Sequence, residues 1–184
     1  ADGFEKAISA PGPGNCLTLA KAVASAIQIV GAEAVRQRSF VHAHGSSTPA
    51  NRVTESELLD RVAASFGIAD WPVAAVKSYV GHSLASASAD QLISALGSFK
   101  YQLIPGIKTI DAVADDVHRQ HLSISQVDVP RTEQPLEVCF INSKGFGGNN
   151  ASAVVLAPQV VERMLRKRYG AERFATYVAR REQT

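Results

Sequence analysis

Three short segments carry side chains that could do chemistry together. Ala43-His44-Gly45-Ser46-Ser47-Thr48-Pro49 sets a histidine beside a glycine and a run of hydroxyls, and Lys77-Ser78-Tyr79-Val80-Gly81-His82 brings a lysine and a glycine up to a second histidine. In the third, Asn142-Ser143-Lys144-Gly145-Phe146-Gly147-Gly148-Asn149-Asn150, the glycines free the backbone to bring N–H groups close to a ligand. Two neutral imidazoles can aim N–H donors at one developing oxyanion. Losing one such donor costs about 2.7–4 kcal/mol of transition-state stabilisation, so the pair suits enolate chemistry. A histidine at a strand end is more often structural than catalytic, and His42, His118 and His121 are read that way. His44 and His82 differ because each adjoins a glycine at a strand end, where α/β folds place ligands, and each has hydroxyls or a lysine nearby.

The elements that must position these groups follow from periodicity. Leu17, Ala20, Val23, Ala24 and Ile27 recur at helical spacing from Asn15, read as an N-cap, towards Gly31. Ser39 to Ala43 reads as a buried strand running out at Gly45. Thr54 and Glu57 form a capping box that opens a helix through Leu58, Leu59, Val62 and Phe66 to Gly67. Pro72 to Ser78 reads as a strand, and Ala85 to Leu103 as a long helix whose small first residues let it pack closely on a sheet. Leu136 to Ile141 and Ala153 to Leu156 are strands joined by the glycine-rich turn from Lys144 to Asn149. This order predicts an α/β layered domain with a mixed sheet over residues 1–158. Residues 159–184 hold seven Lys or Arg against three Glu and form a basic amphipathic extension.

Composition bounds the function classes. The chain has 184 residues, 46% hydrophobic and 20% charged, with a mean hydropathy of -0.01, which is the ordinary globular range. A formal charge of +2 gives no nucleic-acid footprint. The absence of a spanning apolar stretch or signal-peptide core predicts a soluble protein with no membrane partner. Cys16 and Cys139 are spaced neither for a metal site nor for a disulfide framework, so no metal is expected and the compartment is read as cytoplasmic. The sequence opens without methionine and reads as beginning inside something longer.

In order and spacing, AHGSSTP, KSYVGH and NSKGFGG resemble the motifs of the elongating β-ketoacyl synthases of the thiolase superfamily, which run close to AHGTSTP, KSxxGH and NSFGFGG. The resemblance extends from Ala10 to about Pro158 and implies a thiolase-like fold, here the C-terminal half of the duplicated αβαβα architecture. It implies decarboxylative Claisen condensation of a malonyl thioester with an acyl thioester, in fatty-acid or polyketide synthesis. His44 and His82 would bind the thioester oxygen, while Lys77 would hold the His82 ring in its tautomer and pair with Glu55. Ser46 and Thr48 would bind the phosphopantetheine amides. Phe146 would gate the acyl pocket, with Gly145, Gly147 and Gly148 letting its loop turn and move. The implied partners are acyl carrier protein, the N-terminal half that supplies the cysteine nucleophile, and a second copy in a homodimer. No cofactor is implied beyond the carrier's own phosphopantetheine.

Three positions depart from the family pattern. Lys144 replaces the first phenylalanine of FGFGG, setting a long cation beside the gate where it bears on acyl preference. Gln91 replaces a glutamate, and Gly106 replaces a second proline. Cys16 and Cys139 lack the nucleophile-elbow context and read as small buried hydrophobes, so the chain alone is expected to be inactive. The competing reading is a non-catalytic subunit of the chain-length-factor type. Such proteins generally lose members of the His/His/Lys set, which is complete here.

Overall fold

The computed structural model describes residues 2–3, 13–145 and 148–183. Its elements are β1 (Asp2–Gly3), α1 (Pro13–Val30), α2 (Ala32–Gln37), β2 (Ser39–His42), α3 (Pro49–Phe66), β3 (Trp71–Ala74) and α4 (Lys77–Val80). A 3-10 turn over Leu84–Ser86 leads into α5 (Ala87–Tyr101), followed by β4 (Leu103–Ile104), β5 (Leu122–Ser123), β6 (Val129–Pro130), β7 (Val138–Gly145), β8 (Asn149–Leu156), α6 (Pro158–Tyr169) and α7 (Ala171–Arg181).

Six strands form one mixed sheet in the order β1-β8-β7-β2-β3-β5. The pairs β7/β2, β2/β3 and β3/β5 are parallel, and the β7–β8 hairpin and β1 are antiparallel. The period-two alternation along β2 sends Val41 to one face and Phe40 to the other. Val41, Trp71, Val73 and Phe140 pack beneath Leu19 and Val23 of α1, Val35 of α2 and Leu59 and Val62 of α3. Phe40, Ala74, Cys139 and Ile141 pack beneath Ala95 and Phe99 of α5 and Val160 of α6. Helices therefore cover both faces, as parallel strands require.

Several boundaries differ from those read in the sequence. Asn15 lies inside α1 and is buried rather than capping it. The α3 helix begins at Pro49, which is favoured in the first turn because its missing N–H would have no partner there. Thr54 is therefore interior and donates its hydroxyl to the Asn51 carbonyl, so the capping box does not form. The strand read over Pro72 to Ser78 stops at Ala74, and Lys77 belongs to the single turn of α4. Strands β7 and β8 run further into the glycine segment than expected, so Lys144 and Gly145 are paired with Asn150 and Asn149. The basic extension forms α6 and α7. Val160 anchors it in the core, and Arg166 lies over the Phe174 ring at 4.5 Å.

Candidate active site

The carboxyl ends of the parallel strands β3, β2 and β7 lie side by side, and all three segments leave from that edge. His44 follows β2, Lys77 and His82 lie in and just after α4, and Lys144 and Gly145 close β7. Between them opens a cleft of about 420 Å³ lined by His44, His82, Leu84, Ser88, Ser143 and Lys144, with Asn149 and Asn150 from β8.

The two imidazole rings meet edge to face, with centroids 5.2 Å apart and planes at 79°. The Lys144 backbone N–H donates to His44 Nδ1 at 3.3 Å, and the Leu84 N–H donates to His82 Nδ1 at 3.0 Å. With Nδ1 an acceptor in both rings, the neutral form of each carries its proton on Nε2. The pair can thus offer two N–H donors to one oxygen. Burial, then the Lys77 ammonium, with smaller contributions from the His82 ring and the Lys144 ammonium, push the His44 pKa down to about 4 against a raising influence from Glu55. Ser47 and Leu84 hold φ angles of 56° and 58°, an unfavourable backbone for residues with a Cβ, and each lies in the loop of one histidine. At Leu84 that backbone aims the N–H at the His82 ring.

Glu55 is buried in α3, with Asn51 four residues earlier on the same helix face. Its Oε1 accepts the His44 N–H at 2.6 Å and Asn142 Nδ2 at 3.1 Å, and its Oε2 accepts the Gly45 N–H at 2.9 Å and Asn51 Nδ2 at 3.0 Å. Four donors on one carboxylate clamp the His44 loop to both α3 and β7.

Lys77 departs from the role the resemblance implies. Its ammonium donates to the His44 backbone carbonyl at 2.5 Å, and the His82 tautomer is set by the Leu84 N–H instead. Lys77 and Glu55 form no direct ion pair among the described residues, because the glutamate's oxygens are occupied by amide donors. Burial pushes the Lys77 pKa down, opposed by Glu55 and Asp90.

The remaining sequence-selected groups are less centrally placed. Ser46 is half-buried, Thr48 is exposed at the N-cap of α3, and neither lines the cleft. Gly148 has φ +82°, which favours glycine, while Phe146 and Gly147 lie outside the described residues. Burial raises the pKa of both cysteines, and neither lines the cleft. No cluster of three His, Cys, Asp or Glu that could hold a metal occurs among the described residues.

Sequence reading missed Asn51 and Asn142 as partners of Glu55, and it missed the work done by Gln91. The Gln91 amide is fully buried and donates to the carbonyls of Ala43 at 2.7 Å and Asn142 at 3.2 Å, tying the end of β2 to that of β7. Asn142 opens the third segment and Asn51 shares a helix face with Glu55, so both signals were present.

The family model for the β-ketoacyl synthase C-terminal domain matches residues 2–111. The chain is 76% identical over all 184 residues to the β-ketoacyl-[acyl-carrier-protein] synthase FabY of Pseudomonas aeruginosa, of which it spans 29%. It is 32% identical over 119 residues, 64% of its length, to 3-oxoacyl-[acyl-carrier-protein] synthase 2 of Vibrio cholerae, of which it spans 28%. The crystal structure of the noncanonical ketosynthase FabY from P. aeruginosa superposes over 100% of this chain and 28% of its own, with a TM-score of 0.93 and 75% identity. The ishigamide ketosynthase/chain length factor covers 78% of this chain and 33% of its own, with a TM-score of 0.60 and 27% identity. The sheet and helices described above are thus the thiolase-like fold of the ketosynthases, and the chain spans a third or less of these relatives. Matched by that family model over more than half its length, the chain belongs to the β-ketoacyl synthases and carries their C-terminal domain.

Proposed function

We propose that this chain supplies the oxyanion-holding part of a condensing site that joins an acyl thioester to a malonyl thioester borne on acyl carrier protein. The observation that carries the reading is the pair of facing imidazoles, each accepting a backbone N–H at Nδ1 and so presenting Nε2–H at the cleft. The thioester carbonyl oxygen would rest between those donors. When the carboxylate leaves as carbon dioxide, its bonding electron pair forms an enolate whose negative oxygen both N–H groups stabilise. The enolate carbon then attacks the acyl carbon held on a cysteine, and the cysteine sulfur departs as thiolate.

That cysteine would come from outside this chain, since both thiols here are raised by burial and absent from the cleft wall. Residues 1–158 would form the synthase portion and 159–184 a basic extension, in a cytoplasmic homodimeric enzyme without a bound cofactor. Among the described residues no helix is long and apolar enough to cross a membrane. A purely scaffolding, chain-length-factor type of subunit would gain nothing from a carboxylate with four donors that fixes a histidine loop at the cleft.

The test is carbon dioxide release from a malonyl thioester by the whole synthase that contains this segment. His44→Ala or His82→Ala should lower the rate at least about 100-fold, the usual effect of removing one oxyanion donor. Unchanged release in both variants would replace the condensing role with a scaffolding one.

A further inference from the structure

Lys144 is the position where the site departs most from the family pattern, and its surroundings give the cation an opportunity a phenylalanine would not have. It lines the cleft, is half-buried, and sits between Asn142, which binds Glu55, and Gly145 at the end of β7. Its backbone N–H already serves His44. Its ammonium reaches Thr54 Oγ1 at 3.4 Å, and the Thr54 hydroxyl donates its proton to the Asn51 carbonyl at 3.3 Å, leaving its lone pairs for the lysine.

That hydroxyl is a weak partner for a cation. The neighbouring carboxylate of Glu55 is filled by four donors, and Asp90 accepts the Ser83 hydroxyl on the Lys77 side of the site. Among the described residues no carboxylate forms an ion pair with Lys144, and no Asp or Glu lines the cleft. Among the described residues Lys144 is thus the one Lys or Arg in the cleft wall, beside neutral hydroxyls and amides. A charge placed so, in a cleft less polarisable than water, favours entry of an anion.

We infer that Lys144 is a specificity-determining residue that draws the free carboxylate of a carboxylated acyl thioester into the cleft. This rests on the condensing role proposed above, and it adds a means of sorting the two substrates. The carboxylated partner gains an attraction that an uncarboxylated acyl thioester cannot. The attraction is felt by the bound substrate and is largely kept while the carbon–carbon bond begins to break, so it acts as uniform binding, on KM rather than on kcat.

The experiment uses the whole synthase with two matched probes, the malonyl and the acetyl thioester of one short pantetheine analogue, which differ only in the carboxylate. Lys144→Met should raise the malonyl KM about tenfold, as loss of one partly screened charge attraction does, with kcat little changed. Lys144→Arg should restore it. In Lys144→Met the acetyl KM should shift far less than the malonyl KM, and continued acetyl turnover reports that the site is intact. Added salt should raise the malonyl KM of the unaltered enzyme and not that of Lys144→Met. An unchanged malonyl KM in Lys144→Met, or an equal rise for both probes, overturns the steering role. Absence of malonyl decarboxylation by the unaltered enzyme would instead overturn the condensing role, and steering with it.

Discussion

The Lys77 ammonium donates to the carbonyl of His44 at 2.5 Å while Glu55 accepts the amide N–H of the same residue at 2.6 Å. The cleft histidine is therefore gripped through its main chain from both sides, and among the described residues its ring keeps one hydrogen bond, at Nδ1. Lys77 touches neither imidazole through a hydrogen bond, so its charge acts on the His44 ring through space.

That separation predicts the outcome of removing the charge. A cation disfavours protonation of a nearby imidazole, so Lys77→Met should raise the His44 pKa above its present value of about 4. Burial is the larger cause and persists, which keeps the value below the ordinary 6.5. Titration of the His44 ring resonances by NMR gives the answer. An unmoved pKa would mean that the lysine charge is screened from the ring.

Glu55 offers a second test, because its carboxylate meets four donors and has no donor of its own. In Glu55→Gln an amide NH2 would face two of those donors, leaving them buried without an acceptor. Hydrogen bonds to charged groups contribute about 1.5–3 kcal/mol each, and an orphaned buried donor costs about 1–3 kcal/mol. The variant should unfold at lower urea concentration by about 3 kcal/mol of stability. A midpoint equal to that of the unaltered protein would show that the clamp contributes nothing net.

How far the sequence disclosed this site depends on the kind of interaction. The strand–glycine–histidine segments were legible because the carboxyl ends of parallel strands are where loops gather, and β2, β3 and β7 do bring those segments together. The α3 start was misread because Thr54 and Glu57 have capping-box spacing, whereas Pro49 and the fixed φ of its ring open the helix five residues earlier. The target of Lys77 was illegible because a backbone carbonyl has no residue type to recognise. The short strands β4, β5 and β6 carry two residues each, too few for any periodicity to register.

Gly106 and Gly97 should respond oppositely to a methyl group. A Cβ at Gly106 would lie 2.4 Å from the backbone C and O of Val127, and those atoms are held in place by hydrogen bonds from the Ser125 hydroxyl to the Val127 carbonyl and from the Lys108 chain to Asp128. This approach leaves no room for a side chain at position 106. Gly106→Ala should destabilise by about 1–3 kcal/mol, the usual cost of overpacking. Gly97 lies within α5, and among the described residues nothing beyond its own helix backbone lies within 4 Å of an added Cβ, so Gly97→Ala should stabilise by about 0.5–1 kcal/mol through helix propensity. Thermal melts of the two variants on either side of the unaltered protein would agree, and a reversed order would not.

Acid sensitivity should come from two histidines of β2 and its loop. Burial, followed by the Lys77 charge, lowers both His42 and His44 from 6.5 to about 4. The unfolded chain then binds protons on these rings between pH 6.5 and 4 while the folded chain does not. The folded state is therefore fully favoured above the unfolded pKa and loses stability as pH falls towards 4, by up to about 1.4 kcal/mol per pH unit for each ring. The lowered carboxyls of Asp116 and Asp128 act further down, since their contribution is lost only as pH falls below the ordinary 3.8. Urea unfolding followed from pH 7 to about 4.5 isolates the imidazoles. Among the described residues neither buried ring nitrogen of His42 has a hydrogen-bond partner, and the ring lies next to that of Phe40 at 5.4 Å. His42→Leu should therefore flatten the pH dependence by about half and raise stability most at the acid end. A slope unchanged by that substitution would assign the acid sensitivity to groups other than His42.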